Sequence, residues 1–457
     1  MMLKVTAEEI ARALGYNYSG LNDKIITSVT CDSREVTEGS LFIALAGEKT
    51  DGHNYIAKAY ENGAVAAVVS REIAAPANLA LIYADDGVKF LQELATWVRS
   101  KIKAEVIAVT GSYGKTSTKD LLGGIFSAKN ACVSKGNNNN EIGLPLTLCR
   151  AAEDTEAVIT EMGMRGLGQI KFLCEIARPK YAIITNIGTV HSELLGSKEN
   201  IAKAKCEILP FIPNDGAAVL NWQDKIFLEP YLKDCKGEII WYNCNDSKEG
   251  ACALARNLSS EGSSFIFKWQ DYSFKIELTV AGEHNIINAM AAIVVALKCG
   301  LAIDEIQSGL KNVGLSGMRL KTEQAKNGAL IINDSYNANP EAMRGALQVL
   351  SMYREKKKIA VLGEMYELGI YSKEGHEQTG KAAYAAGCDY LIAVGEMARD
   401  IAGGAVQAGM AQDKVTWVKD NKQAISLLRK ITDENSVILV KASRGMQMEE
   451  IVREIMG

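Results

Sequence analysis

VIAVTGSYGKTST, Val106 to Thr118, is the stretch whose reading decides the fold of this chain. Val106 to Val109 is a short apolar, β-branched run, and Gly111 and Gly114 break it just before Lys115 and Thr116. The order is strand, glycine loop, helix start. Glycines let backbone N–H groups turn onto an anion, Lys115 adds a point charge for the outer phosphates, and the Thr116 hydroxyl can take a place on Mg2+. A strict P-loop carries glycine where Val109 stands, so the match is to the shorter T-G-x-x-G-K-T form. A glycine-rich turn with a surface lysine is the plainer alternative. The coincidence of strand, glycines, Lys and Thr in phosphate-binding order argues against it.

Working outward, 457 residues at 47% hydrophobic can bury several cores, and about three domains is the natural expectation. A net charge of −4 gives no nucleic-acid surface. Ten cysteines scattered without a C-x-x-C pair argue against a zinc site or a disulfide framework and for a reducing compartment. The opening MMLKVTAEEIARALG is amphipathic and charged, unlike a signal peptide, and no apolar run approaches about 20 residues. The expectation is a cytoplasmic protein without stable membrane insertion.

Residues 1–86 read as a small α/β unit in which Thr6 caps a first helix and SLFIAL and AVAAVV are strands. Ser33 and Arg34 in CDSR, and the loop AGEKTDGHNY, offer donors for an anionic or hydroxylated ligand, or are two ordinary surface loops. Residues 87–313 form a second unit. Its strands AVIT and YAIIT exit into Glu161 and into NIGTVHSE with His191. In a doubly wound sheet ligands gather beyond the carboxyl ends of parallel strands, which places the glycine loop, Glu161 and His191 together. Both suit a divalent cation shared with Thr116; taken singly they read as a solvated carboxylate and a loop histidine.

In SKENIAKAKCEILPF the spacing predicts a helix from Ser197 to Pro210, with Lys205 in the middle of the apolar face formed by Ile201, Ala204, Ile208 and Leu209. A buried ammonium must pair, lose its proton or be chemically changed, and a neutral amine can take up CO2 as a carbamate. Its stem could instead snorkel to water. SSFIFKW and YSFKIELTV predict a hairpin turning at Gln270 and Asp271. The helix after Ala281 carries Asn285 and Asn288 on one face, able to bond a ligand or to cap.

The join VGLSGMR leads into residues 314–457, where ALIIND, KIAVLG, YLIAVG, VTWV and VILVKA alternate with helical stretches as a further open α/β sheet. Asn339 is the expected N-cap before Pro340, Asp334 lies at a strand end, and Lys441, Ser443 and Arg444 form a cationic exit suited to a free carboxylate or are surface charge.

TGSYGKTST, EMGMRG, TNIGTVHSE, GEHNIINAMAA, NDSYNANP, LGEMYELG and KASRGMQME follow in the order of the bacterial muramyl (Mur) ligases, and the chain resembles that family over essentially its whole length. The glycine loop alone is shared with folylpolyglutamate synthetases. SYNANP with LGEMYELG is similar to the D-alanyl-D-alanine-adding branch. Glu364 stands where Asp is commoner, and Ala442 and Gly445 depart from the usual KGSRSM.

The resemblance implies three α/β domains: 1–86 binding the UDP substrate, a central P-loop-type ATP-binding sheet with an antiparallel extension over 87–313, and a Rossmann-like domain over 314–457. It implies an ATP-dependent peptide ligase acting through an acyl phosphate, with UDP-N-acetylmuramoyl-tripeptide and D-alanyl-D-alanine as partners, no nucleic acid, and a monomer. ATP and a pair of Mg2+ ions would sit on Thr110, Gly111, Ser112, Gly114, Lys115, Thr116, Ser117, Asn285, Asn288, Arg319 and Asp334, with Glu161, His191 and a carbamylated Lys205 completing the metal sites. Substrate would meet Ser33, Arg34, Asp51, His53, Asn139, Asn140, Glu141, Asn337, Lys441 and Arg444. Two rivals stay open at this level: a folylpolyglutamate-type ligase, which should lack the front unit, and a non-enzymatic ATP-dependent regulator.

Overall fold

The computed structural model describes residues 4–20, 23–47, 50–189 and 192–457. Three main sheets follow one another along the chain. The first is five-stranded, ordered Asn17–Ser19, Ala80–Tyr83, Ala64–Val69, Ser40–Ile43, Ser28–Thr30, and only its edge strand Asn17–Ser19 is antiparallel. Ahead of it the helix Ala7–Leu14 starts at a reciprocal cap between Thr6 and Glu9 and ends at left-handed Gly15.

The central sheet is six-stranded and wholly parallel, ordered Glu238–Tyr242, Ala217–Asn221, Tyr181–Ile184, Glu105–Thr110, Ala157–Glu161, Ala131–Val133. Strand Glu105–Thr110 is fully flanked, so its apolar run is continuous rather than alternating. The chain order reverses on its two sides, which opens a crevice at its carboxyl end, where the glycine loop begins.

One face of this sheet joins the first unit in a single core: Ile10, Leu41, Phe90 and Leu94 belong with Val106, Ala108 and Leu144. The opposite face packs on the helix Glu283–Lys298, whose apolar residues Ile286, Met290 and Ile293 also meet a separate three-stranded antiparallel sheet. The expected hairpin, Gly262–Trp269 and Tyr272–Leu278, is there. Its third strand, Cys252–Ser259, was not expected, because exposed positions fill it from Leu254 onward and it carries a bulge, so no apolar alternation marks it.

The last sheet is ordered Lys321–Gln324, Leu330–Asn333, Ser436–Lys441, Lys357–Gly363, Tyr390–Val394, Val415–Val418. All five expected strands are present, and the polar antiparallel edge Lys321–Gln324 is an addition. Asn339 caps the helix Pro340–Ser351 as expected. The lysine-rich helix starts at its Ser197 cap but stops at Cys206, short of Pro210, and Leu209–Phe211 turns as a separate 3-10 segment.

Phe267 is fully buried between the small sheet and the helix Glu283–Lys298, with its ring 5.3 Å from that of Phe274. Phe267→Ala should cost about 3–5 kcal/mol and speed amide exchange in the strands between 252 and 278. An unchanged melting midpoint would show that the small sheet is not anchored through this ring.

Candidate active site

Two glycines shape the loop. Gly111 sits at φ +147°, and a Cβ there would lie 1.8 Å from Thr185 Oγ1; Gly114, at φ +78°, would bring one 2.7 Å from Asn288 Oδ1. Neither space exists for a side chain. The loop is stitched to the exit of the neighbouring strand. Thr185 Oγ1 donates to the Tyr113 carbonyl at 2.6 Å, Asn186 Oδ1 accepts from Tyr113 N at 3.0 Å, and Gly188 N donates to Ser112 Oγ at 2.9 Å.

Lys115 begins the helix Lys115–Ile125 and folds back, donating to the Gly111 and Ser112 carbonyls at 2.7 and 3.3 Å. Burial first, and the Arg319 charge after it, pull its ammonium below the usual lysine value, while Glu161 works the other way. Thr116 Oγ1 donates to Glu161 Oε2 at 2.7 Å and accepts from Arg319 Nη2 at 3.0 Å. The other Glu161 oxygen accepts from Asn139 Nδ2 at 2.8 Å. A threonine from the loop, a carboxylate from the adjacent strand end and a guanidinium from the join therefore meet at one point.

That point lies in a cleft of about 990 Å3 between the central and last sheets. Of the expected residues, Ser112, Gly114, Lys115, Thr116, Ser117, Asn139, Asn140, Glu141, Glu161, Asn288, Arg319, Asp334, Asn337, Lys441 and Arg444 line it. Lys205 does not line the cleft, but it is buried, 2% exposed, and lies within the field of Lys115. Burial, then Lys115, hold its ammonium well below the ordinary lysine value, so the expected buried face is occupied by a lysine that favours the neutral amine. His191 lies outside the described residues.

Several of the expected residues have partners within the chain. Asn285 is fully buried and donates to the Ala281 carbonyl at 2.8 Å, so it serves the helix start and does not reach the cleft. Lys441, expected near a free carboxylate, has its Nζ 2.5 Å from Asp334 Oδ2 and donates to the Asn337 carbonyl at 2.9 Å, because Asp334 and Lys441 close adjacent parallel strands. Asp334, expected on a ribose hydroxyl, is engaged by that pair and by Leu320 N at 3.1 Å. Arg444 is held by Glu449 at 2.7 Å, and Asn140 Oδ1 caps the helix Gly143–Cys149 through Gly143 N.

In the first unit Asp51 and His53 are engaged inside the protein. His53 Nδ1 lies 2.6 Å from Asp51 Oδ1, its Nε2 accepts from Ser70 N at 3.0 Å, and the second Asp51 oxygen pairs with Arg71 at 2.7 Å. A 3-10 turn, Gly52–Tyr55, folds the histidine inward and leaves neither ring nitrogen free. Arg34 pairs with Asp32 at 2.6 Å while its side chain stays exposed, and the Ser33 backbone carbonyl accepts from Asn62 Nδ2. None of these four residues, nor Thr110 or Gly111 behind the loop, lines the cleft.

Sequence reasoning missed Tyr113, His284, Glu341, Tyr366 and the Met164–Phe172 wall of the cleft. His284 stood in plain sight within GEHN, beside the two asparagines. It is half-buried, with Nδ1 shielded from solvent and unpartnered, and desolvation pulls its imidazole down to about 4. Asp224, whose Oδ2 accepts from Ile187 N at 2.9 Å, is pushed up to about 6 by burial.

These two groups oppose each other in acid. An unfolded imidazole protonates below its ordinary 6.5 while desolvated His284 resists down to about 4, so falling pH removes stability across that window. Asp224 takes its proton near 6 in the folded chain but only near 3.8 when unfolded, so the same fall adds stability. Asp224→Asn, which keeps an acceptor for Ile187, should therefore steepen the drop in melting midpoint between pH 6 and 4, and His284→Gln should flatten it. Superimposable profiles for Asp224→Asn and the unsubstituted chain would refute this assignment.

Family models match the chain in three consecutive parts: "Mur ligase family, catalytic domain" over residues 25–100, "Mur ligase middle domain" over 109–296 and "Mur ligase, glutamate ligase domain" over 318–444. The UDP-N-acetylmuramoyl-tripeptide–D-alanyl-D-alanine ligase of Bacillus subtilis is 35% identical over 463 aligned positions, covering 99% of each chain. A crystal structure of MurF from Acinetobacter baumannii superposes with a TM-score of 0.86 at 30% identity, over 100% of this chain and 99% of that one. MurF ligase from Thermotoga maritima, solved in complex with ADP, gives a TM-score of 0.77 at 27% identity over 94% and 97%. The stitched glycine loop, the carboxylate beside its threonine and the arginine reaching back from the join thus lie in a chain matched from end to end, and this chain belongs to the Mur ligase family.

Proposed function

We propose that this chain is an ATP-dependent ligase that joins D-alanyl-D-alanine to UDP-N-acetylmuramoyl-tripeptide, giving the pentapeptide, ADP and phosphate in peptidoglycan precursor synthesis. The observation that carries the reading is the meeting of Thr116, Glu161 and Arg319 beside Lys115, in a cleft wide enough for a nucleotide and an acyl acceptor together. The Bacillus subtilis relative is named for this reaction, and the Thermotoga maritima structure holds ADP.

A carboxylate does not accept an amine directly. In the proposed first step a terminal carboxylate oxygen of the tripeptide attacks the γ-phosphorus of ATP, the bridging P–O bond breaks and ADP leaves. The amine nitrogen of the dipeptide then attacks the acyl carbon, gives up a proton, and the C–O bond to phosphate breaks. Lys115, the loop N–H groups and Arg319 offset the negative charge that gathers on the transferred phosphoryl group. The walls of the cleft keep water from the acyl phosphate.

Among the described residues no group of three or more His, Cys, Asp or Glu side chains could hold a metal. That suits Mg2+, which takes one or two protein oxygens and fills its shell with phosphates and water. Thr116 and Glu161 would be the protein donors, with His191 and a carbamate on Lys205 completing a pair of sites; bound Mg2+ supplies charge neutralisation at the phosphate oxygens. A CO2 carbon bonds most readily to a lysine nitrogen that has lost its proton, and the burial of Lys205 favours that form.

In this reading residues 1–86 hold the uridine diphosphate end, 87–313 hold ATP, and 314–457 bring the dipeptide and close over the site. The free thiols of all ten cysteines suit the cytoplasm. No helix among the described residues is long and apolar enough to cross a membrane.

Phosphate release from ATP should require both UDP-N-acetylmuramoyl-tripeptide and D-alanyl-D-alanine. Release with either alone, or release driven by a folate and glutamate, would overturn the reading. Lys205→Ala should lower ligation by about 100-fold or more, the scale of removing one preorganised charge, while ATP affinity changes little. Unaltered turnover at any bicarbonate level would remove Lys205 from the site.

A further inference from the structure

The join between the central and last sheets carries contacts that the ligase chemistry does not use. Asp120 lies one turn beyond Thr116 on the helix Lys115–Ile125, and its Oδ2 accepts from both the backbone N and the Oγ of Ser316, each at 2.8 Å. Its Oδ1 lies 2.9 Å from Lys119 Nζ, and Lys119, itself buried, also donates to the Ser134 carbonyl at 3.0 Å. The carboxylate is thus fixed from behind before it grips the join.

From Ser316 the chain turns at Gly317, φ +75°, to Arg319. Arg319 Nη1 donates to the Ser316 carbonyl at 3.0 Å, its Nη2 donates to Thr116 Oγ1 at 3.0 Å, and its guanidinium stacks 3.9 Å from the centre of the Tyr336 ring. One serine is therefore held by Asp120 on one side and holds the arginine on the other. Thr116 and Asp120 are four residues apart on one helix face, so the arginine tip and the anchor of its backbone are referred to the same rigid element.

We propose that Asp120 and Ser316 are positioning residues that set the Arg319 guanidinium over the phosphate loop; the inference rests on the ligase reading only in naming ATP as the anion. A long arginine on a join containing Gly314 and Gly317 loses much rotamer and backbone freedom when it meets a phosphate. The clasp removes that freedom beforehand. Asp120 does not line the cleft, and its side chain reaches the join at Ser316.

The test is a double-mutant cycle read by calorimetry with ATP and Mg2+, and by steady-state KM values. Ser316→Ala removes the Oγ bond and keeps the backbone N–H. Asp120→Asn keeps an acceptor and removes the charge. Each should weaken ATP binding by about 10-fold, the scale of one hydrogen bond to a charged group, and leave the KM for the UDP-tripeptide unchanged; Ser316→Ala should also leave the melting midpoint unchanged, whereas Asp120→Asn, which takes the carboxylate from buried Lys119, should lower it. Added to Arg319→Ala, Ser316→Ala should cost less than about 2-fold more, because both act through one guanidinium. The same loss in both backgrounds, or a lowered melting midpoint with unchanged ATP affinity, would reduce the clasp to structural glue. A chain that binds ATP but releases no phosphate with both substrates would overturn the ligase reading alone, and the calorimetric cycle would still decide the role of Asp120 and Ser316.

Discussion

Uncompensated positive charge held out of water at one helix start is the constraint on which the rest of this structure depends. Lys205 is buried within the field of Lys115, which is half-buried in the cleft wall, and among the described residues neither forms an ion pair with a carboxylate. Lys115 makes do with the carbonyls of its own loop. An isolated buried ammonium is expensive, and so is the row of inward N–H groups at a helix start. A polyanion entering the cleft relieves both costs at once, so the unfavourable charge left by folding becomes favourable binding. The glycines, the Thr185 hydroxyl and the Asn186 amide exist in this account to keep the loop in the one shape that leaves its N–H groups pointing at the anion.

The central and last sheets use the same construction to different ends. Each reverses chain order beside a central strand and sets an acidic residue past a strand's carboxyl end. In the last sheet Asp334 meets Lys441 at 2.5 Å and the two cancel. In the central sheet Glu161 accepts from a hydroxyl and an amide, at 2.7 and 2.8 Å. A carboxylate satisfied by neutral donors can still attract a cation; one already paired with lysine cannot do so to the same degree. That difference, not the presence of acidic residues at strand ends, separates the half of the cleft suited to a metal and phosphates from the half that is chiefly a wall.

Legibility followed the same physics. Buried parallel strands and the glycine loop were readable because a fully flanked strand must be apolar throughout and a phosphate loop must have glycine at fixed points. Lys205 was readable because a cation in an apolar stripe is an anomaly that periodicity exposes. The edge strands Cys252–Ser259 and Lys321–Gln324 were not, since exposed strands need no apolar pattern. Nor was the fate of His53: a histidine in a polar glycine loop looks like a ligand donor, and only the turn that carries it inward to Asp51 and Ser70 makes it structural. Asp334 and Lys441 were correctly placed at strand ends, but their meeting depends on which strands are neighbours, a fact of topology 107 positions apart in sequence.

How the cores are divided says which parts can move. The first unit and the central sheet share one apolar cluster, in which Ile10 and Leu41 belong with Val106 and Leu144. The last sheet keeps its own clusters on its two faces, built from residues such as Met343, Leu362, Val361 and Ile438. Between these bodies run chiefly polar links: Ser192 to the Leu368 carbonyl, Asp120 to Ser316, and Thr116 to Arg319. A shared apolar core resists relative motion, whereas a polar seam can open and re-form because water replaces each lost bond. On the proposed reading, closure over the cleft would move the last unit against a rigid pair. Its pivot would fall at left-handed Gly317, beside Ser316 clasped by Asp120, so that the backbone carrying Arg319 stays referred to the phosphate loop.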